Sequence, residues 1–139
     1  MTVRRRERGF TLIEMLVVIA LLALIAGFAA PRVIGLFGQA KGDSAKIQIE
    51  MLAGALGHYR LDVGGFPSEE QGLAALVSRP ADAARWNGPY LQGSEVPLDP
   101  WGRPYRYRRP ADGRDFEIVS LGADGADGGD GENADIRSK

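Results

Sequence analysis

The sequence predicts an α+β chain: one long N-terminal helix, apolar and membrane-length in its first half, packed on a small domain with short helices and a small antiparallel sheet. Three observations predict it. Residues 15–30, "MLVVIALLALIAGFAA", are drawn entirely from apolar residues and glycine. Beyond Asp43 the apolar positions recur at helical spacing. Finally, "PYRYRR" and "RDFEIVSL" are strand-like runs on either side of a turn sequence.

Counted back to Phe10, the apolar half is 21 residues long, about 31 Å as a helix, which is enough to cross a bilayer core. Arg4, Arg5, Arg6 and Arg8 precede it. By the positive-inside rule they hold the N-terminus in the cytoplasm and put the rest of the chain outside. A cleavable secretory signal would need small residues at the −3 and −1 positions, and the best candidate, Gly27-Phe28-Ala29, is a poor one.

Pro31, Gly35, Gly38 and Gly42 come next; each weakens a helix interior, so this is the softest part of a continuous helix. Ala45, Ile49, Leu52, Leu56, Tyr59 and Val63 then fall on one helical stripe. Gly64-Gly65 and Pro67 end it. Ser68, three before Gln71, makes a capping box for a short helix through Leu73, Leu76 and Val77, closed by Pro80. The two strand-like runs are joined by Pro110-Ala111-Asp112-Gly113, which reads as the turn of an antiparallel hairpin.

The 139 residues leave room for one compact domain at most. Net charge is −1, which gives no general basic field for nucleic acid. Four of the 17 basic residues and one of the 18 acidic ones lie before Phe10, so the body carries about −4. There is no cysteine, which excludes disulfides and thiolate metal sites. The one histidine, His58, sits one position off the apolar stripe, so no histidine dyad can form within one subunit and a solvated side chain is expected. Glu50 and the Glu69-Glu70 pair have no second motif to support acid-base work; Glu69 and Glu70 suit a helix N-terminus. Trp86, Tyr90, Trp101, Tyr105 and Tyr107, with Arg103, Arg106 and Arg108 nearby, are expected to pack as a compact loop on the long helix, the arginines facing acids of adjacent subunits.

Two features ask for a function. The first is Glu14, an acid inside the apolar run, where a charge costs about 2.5–3.5 kcal/mol on insertion scales. Either it reaches back to the headgroups and does nothing, or it meets a cation. A cut between Gly9 and Phe10 would expose the Phe10 amine at the same end of the helix. On a neighbouring copy that amine could neutralise Glu14 and fix the axial stagger. The second is the tail, "GADGADGGDGENAD". Its composition is that of a solvated, disordered segment. Yet Asp124, Asp127, Asp130, Glu132, Asn133 and Asp135 concentrate hard oxygens of the kind calcium takes. "FEIVSL" runs into the tail and Ile136 comes directly after it, so both ends have a hydrophobic anchor.

"RGFTLIE" resembles the cleavage signal of type IV pilins and pseudopilins, in which a dedicated peptidase cuts after the glycine and methylates the new N-terminus. The resemblance makes Gly9 the residue before the cut, Phe10 the methylated first residue and Glu14 the fifth-position acid of a pilin-like chain. "GGFPSEEQGLAALV", "NGPYL", "PLDPWGRPYRY" and the terminal "LGADG" to "ADI" are similar to the major-pseudopilin family of the bacterial type II secretion system.

That resemblance implies a leader of residues 1–9, a transmembrane and assembly half at 10–30, an amphipathic half at 31–63, and a periplasmic part at 64–139. It also implies bound calcium in a C-terminal loop at about 121–136. The matching ligands are the Leu121 carbonyl, Asp124 and Asp135, with Asp130 or Asn133 making up the number because Ala134 stands where some relatives carry an acid. The implied role is structural and non-enzymatic: a single-pass inner-membrane subunit that polymerises into the periplasmic pseudopilus and drives folded proteins across the outer membrane. Its partners would be copies of itself, minor pseudopilins, the prepilin peptidase and the inner-membrane assembly platform, with no nucleic acid. Three other readings remain: a type IV pilus or competence pilin, a secreted calcium-binding domain whose apolar run is removed, and a membrane-tethered hydrolase. The absence of cysteine and the "DPWGRPY" segment argue against the first.

Overall fold

The computed structural model describes residues 10–111 and 114–139, without the side chains of 29–34. The leader with Gly9, and Asp112-Gly113 of the expected turn, lie outside the described residues. The chain divides into two compact units, one ending at Leu36 and one spanning Phe37–Lys139.

Helix α1 runs Leu12–Val63. Thr11 caps it, its Oγ1 accepting the Glu14 N–H at 3.3 Å, which satisfies one of the unpaired first-turn donors. The helix continues through the expected soft segment. It ends at Gly64, whose φ of +98° only glycine adopts without strain; its N–H closes on the Arg60 carbonyl at 2.8 Å. Among the described residues no helix is long and apolar enough to cross a membrane. The apolar run read from the sequence reaches residue 30, beyond the stretch of α1 up to residue 28 whose side chains are described without a break.

In the second unit the expected stripe is the core. Ala45, Ile49, Leu52, Leu56 and Tyr59 are buried, joined by Ala55, Leu73, Leu76, Tyr105 and Ile118. Ser68 and Gln71 make the reciprocal capping-box bonds, Ser68 N–H to Gln71 Oε1 at 2.9 Å and Gln71 N–H to Ser68 Oγ at 3.2 Å. They close a turn rather than an α-helix: the helix that follows, Gly72–Leu76, is 3-10 in type, with Gln71 as its N-cap and no side-chain capping bond. Gly72 takes φ +54°, which an α-helix cannot continue through.

Strands β1 (Arg106–Arg108), β2 (Glu117–Ser120) and β3 (Ile136–Arg137) form one antiparallel sheet in that order. The expected hairpin is β1 and β2, and the tail supplies the third strand. Cross-strand partners share a face, so Tyr107, Ile118, Ser120 and Ile136 lie on one face, and Arg106, Arg108, Glu117, Val119 and Arg137 on the other. The first face joins the core; on the second, arginine stems shelter Val119 and Glu117, both buried on β2. Phe66 and Phe116 meet edge to face at 5.0 Å, and Tyr107 stacks on Phe116. The Tyr107 hydroxyl donates to the Pro67 carbonyl, and burial pushes its pKa up to about 12.

The "DPWGRPY" loop is compact, as expected. Buried Asp99 accepts the Trp101 and Arg103 N–H groups on Oδ1 and the Ser120 hydroxyl on Oδ2. Tyr105 is buried and donates to Gln48 of α1. The nearby arginines, expected to face neighbouring subunits, find partners within their own chain: Arg106 pairs with Asp127 and Arg108 with Glu117, and Arg103 donates to the Gly122 and Ala123 carbonyls. These partners are brought near by strand pairing and loop folding, which local sequence does not reveal.

Candidate functional site

The acidic tail is a loop between β2 and β3, tied to the body at both ends although residues 126–133 are exposed. Its limbs are cross-linked by backbone: Ala123 N–H to the Glu132 carbonyl at 2.8 Å, Gly125 N–H to Leu121 at 3.2 Å, and Asp135 N–H to Gly128 at 3.2 Å. A 3-10 turn, Gly131–Asn133, carries the chain back toward β3. Two glycines are required twice over. Gly122 and Gly129 have φ of +63° and +85°, and a Cβ on either would fall within 3.0 Å of Asn133 backbone.

The loop places the expected ligands unequally. Leu121 is buried and its carbonyl accepts the Gly125 N–H. Asp124 is exposed, with Oδ1 accepting the Ala126 N–H at 3.0 Å; Asp130 and Asn133 are exposed as well. Asp135 differs, its side chain only 8% exposed. Its Oδ2 accepts the Gly128 N–H at 3.1 Å and Arg137 Nη2 at 2.8 Å, while its Oδ1 is buried with no hydrogen-bond partner among the described residues. The Gly128 bond, helped by Arg137 and opposed by burial, holds this carboxyl below the ordinary carboxylate range.

Among the described residues no three His, Cys, Asp or Glu side chains gather as a metal cluster. The loop instead offers backbone carbonyls and one ionised, shielded carboxylate oxygen. A buried acceptor without a donor calls for water or a cation, and a site of oxygens alone suits a hard cation such as calcium. The residues present therefore fit the expected ion in kind.

Beside the loop, Glu117 is 6% exposed and ringed by arginines: Arg114 at 2.9 Å and Arg137 at 3.3 Å on Oε1, Arg108 at 3.8 Å on Oε2. Burial pushes its pKa up, but hydrogen bonds and charge from Arg114 and Arg137 outweigh that and leave it lowered. Sequence reasoning missed this cluster. The run of arginines in β1 was visible, but their convergence depends on the register with β2. It missed two further contacts. Glu132 lies against Gly38 of α1, where a Cβ would overlap its carboxyl group. Thr11-x-x-Glu14 has the spacing of a capping box, the signal that would have found the Thr11 cap.

The second candidate surface is α1 itself. Every residue from 10 to 28 is exposed, including Phe10 at 73% and Leu12 at 84%. Glu14 sits in the first turn of α1, where the helix dipole favours an anion. Further along, Ile47, Met51 and Leu61 are exposed; at 100° per residue they fall on the side of α1 opposite its buried stripe. Exposed His58 lies between them, as expected of a solvated histidine.

A capped, outwardly apolar N-terminal helix bearing a small three-stranded domain defines the pilin-like class, and the prokaryotic N-terminal methylation motif matches residues 4–30. The model of type II secretion system protein G matches residues 32–139, and the chain belongs to that family. Core protein G of the type II secretion system from Pseudomonas aeruginosa is 44% identical over 96% of this chain and 95% of its own length. The Vibrio cholerae protein of the same name is 39% identical over 95% and 91%. The crystal structure of the major pseudopilin from the type 2 secretion system of enterohaemorrhagic Escherichia coli matches with a TM-score of 0.64 and 32% identity, over 77% of this chain and 93% of that one. Family membership makes the chain a structural subunit of the type II secretion pseudopilus.

Proposed function

We propose that this subunit enters the inner membrane with residues 1–9 in the cytoplasm and its C-terminal part in the periplasm. The prepilin peptidase cuts it after Gly9 and methylates Phe10, and it then polymerises into a filament whose growth drives folded proteins across the outer membrane. The inner-membrane assembly platform and minor pseudopilins are its other partners. Its work is assembly, with no catalytic step.

The exposure of the apolar half of α1 carries this reading. Side chains such as Leu12 and Phe28, 84% and 74% exposed in one copy, are stable in lipid or against other copies of the same segment. Transfer between those two environments gains little from apolar burial, because lipid is already apolar. Register must then come from a polar pair, and the Phe10 amine of one copy with Glu14 of another supplies it.

Calcium is the second part of the proposal. The Leu121 carbonyl and the Asp135 carboxylate would hold it, with Asp124, Asp130 and Asn133 within the same loop to complete the shell. Bound there, the ion supplies positive charge that draws the oxygens of the loop together. A ligand that binds only the native state stabilises it by mass action.

Mass spectrometry of the mature chain tests the processing: an N-terminal methylated Phe10 is expected, and an N-terminus beyond residue 29 would overturn it. Glu14→Ala tests the pairing. It should insert at wild-type levels and yield at least ~10-fold fewer filaments, because losing a charge partner in low dielectric costs several kcal/mol. Normal filament yield from that variant would remove Glu14 from the assembly mechanism.

A further inference from the structure

The unpartnered oxygen of Asp135 has its cause one strand away. Both donors to this carboxylate fall on Oδ2, from Gly128 N–H and Arg137 Nη2. That orients the carboxylate and leaves Oδ1 buried and, among the described residues, without a donor. Arg137 is also held from the side of the sheet. Its other terminal nitrogen donates to Glu117 Oε1 at 3.3 Å, and Glu117 lies on β2, the central strand, with its side chain 6% exposed. A continuous polar chain therefore runs from the middle of the sheet, through one guanidinium, to the loop.

We propose that Arg137 is a positioning residue of the cation site: anchored by Glu117, it ties Oδ2 of Asp135 to the sheet and so holds Oδ1 ready for a divalent cation. This rests on the calcium reading above. A planar guanidinium can bridge two carboxylates at once, which a lysine ammonium on a flexible stem does poorly. Outer partners of this kind typically matter by about 10–100-fold in metal affinity.

Two effects of Arg137 oppose each other, which makes the proposal testable. Its positive charge repels a nearby cation, so on charge alone its removal would tighten binding. Its orienting role predicts the reverse. The test is titration of the mature full-length chain in detergent micelles with calcium, read by calorimetry, together with melting of each variant in calcium and in chelator. Arg137→Ala should weaken calcium by at least ~10-fold, Arg137→Lys should recover part of the loss, and Glu117→Gln should fall between Arg137→Ala and wild type.

Unchanged or tighter calcium binding by Arg137→Ala would overturn the proposal. So would equal loss of melting temperature with and without calcium, since that marks a purely structural ion pair. Should Arg137→Ala fail to fold, Arg137→Gln keeps part of the side-chain bulk and an amide NH2 as a neutral donor, and the same comparison decides. A wild-type chain that binds no calcium would remove the calcium reading itself; wild-type binding with indifferent variants removes only the role of Arg137.

Discussion

Glu117 is a buried acid on the central strand, kept ionised by Arg114 and Arg137. Its folded pKa lies below its unfolded value. The stability it contributes is fully present above the unfolded carboxylate pKa of about 4 and is lost as pH falls through the folded value. Urea midpoints between about pH 7 and about pH 3 should therefore fall on the acid side, and Glu117→Gln should flatten that fall while lowering the plateau. An equal acid-side fall in both proteins would show that other carboxylates carry the effect. At this scale the sequence was legible only in part. Resemblance pointed to Asp135, but nothing in the spacing of the tail's acids says which is shielded. Asp127 is drawn off by Arg106 and Asp135 is enclosed by Gly128 and Arg137, and both outcomes depend on chain segments that meet only on folding.

Helix α1 was the most legible element, because burial at one period leaves a direct mark on the chain. The stripe from Ala45 to Tyr59 is the core, and Leu56 at its centre is fully buried. Leu56→Ala should cost about 2–5 kcal/mol in unfolding free energy by denaturant titration; less than about 1 kcal/mol would mean that the core closes over the gap. The same period leaves Ile47, Met51 and Leu61 exposed on the side of α1 opposite that stripe. The elements least legible were the short ones. The capping box formed, yet only a turn follows it, because Gly72 at φ +54° interrupts the right-handed run before the 3-10 segment begins. Strand β3 is two residues long, too short for any alternation to announce it; only Ile136, just after the acids, hinted that the tail returns to the body.

At the scale of the whole molecule, one loop closes the sheet and contains the cation candidate, so ligand binding there and global stability are linked. Calcium at about 100 times its dissociation constant should add about 2.7 kcal/mol, read as a higher melting temperature of the mature chain in millimolar calcium than in chelator. Identical curves would remove calcium from the account of this fold.

The contact between Glu132 and Gly38 ties the two ends of the second unit together. Gly38 is the first position of α1, among the described residues, that is covered by the rest of the protein. A residue of the acidic loop thus leans on a position of α1 far earlier in the sequence, so a chain cut before residue 132 would leave Gly38 without that cover. The face of α1 at Gly38 is thereby shaped by a loop that lies almost a hundred positions away along the chain.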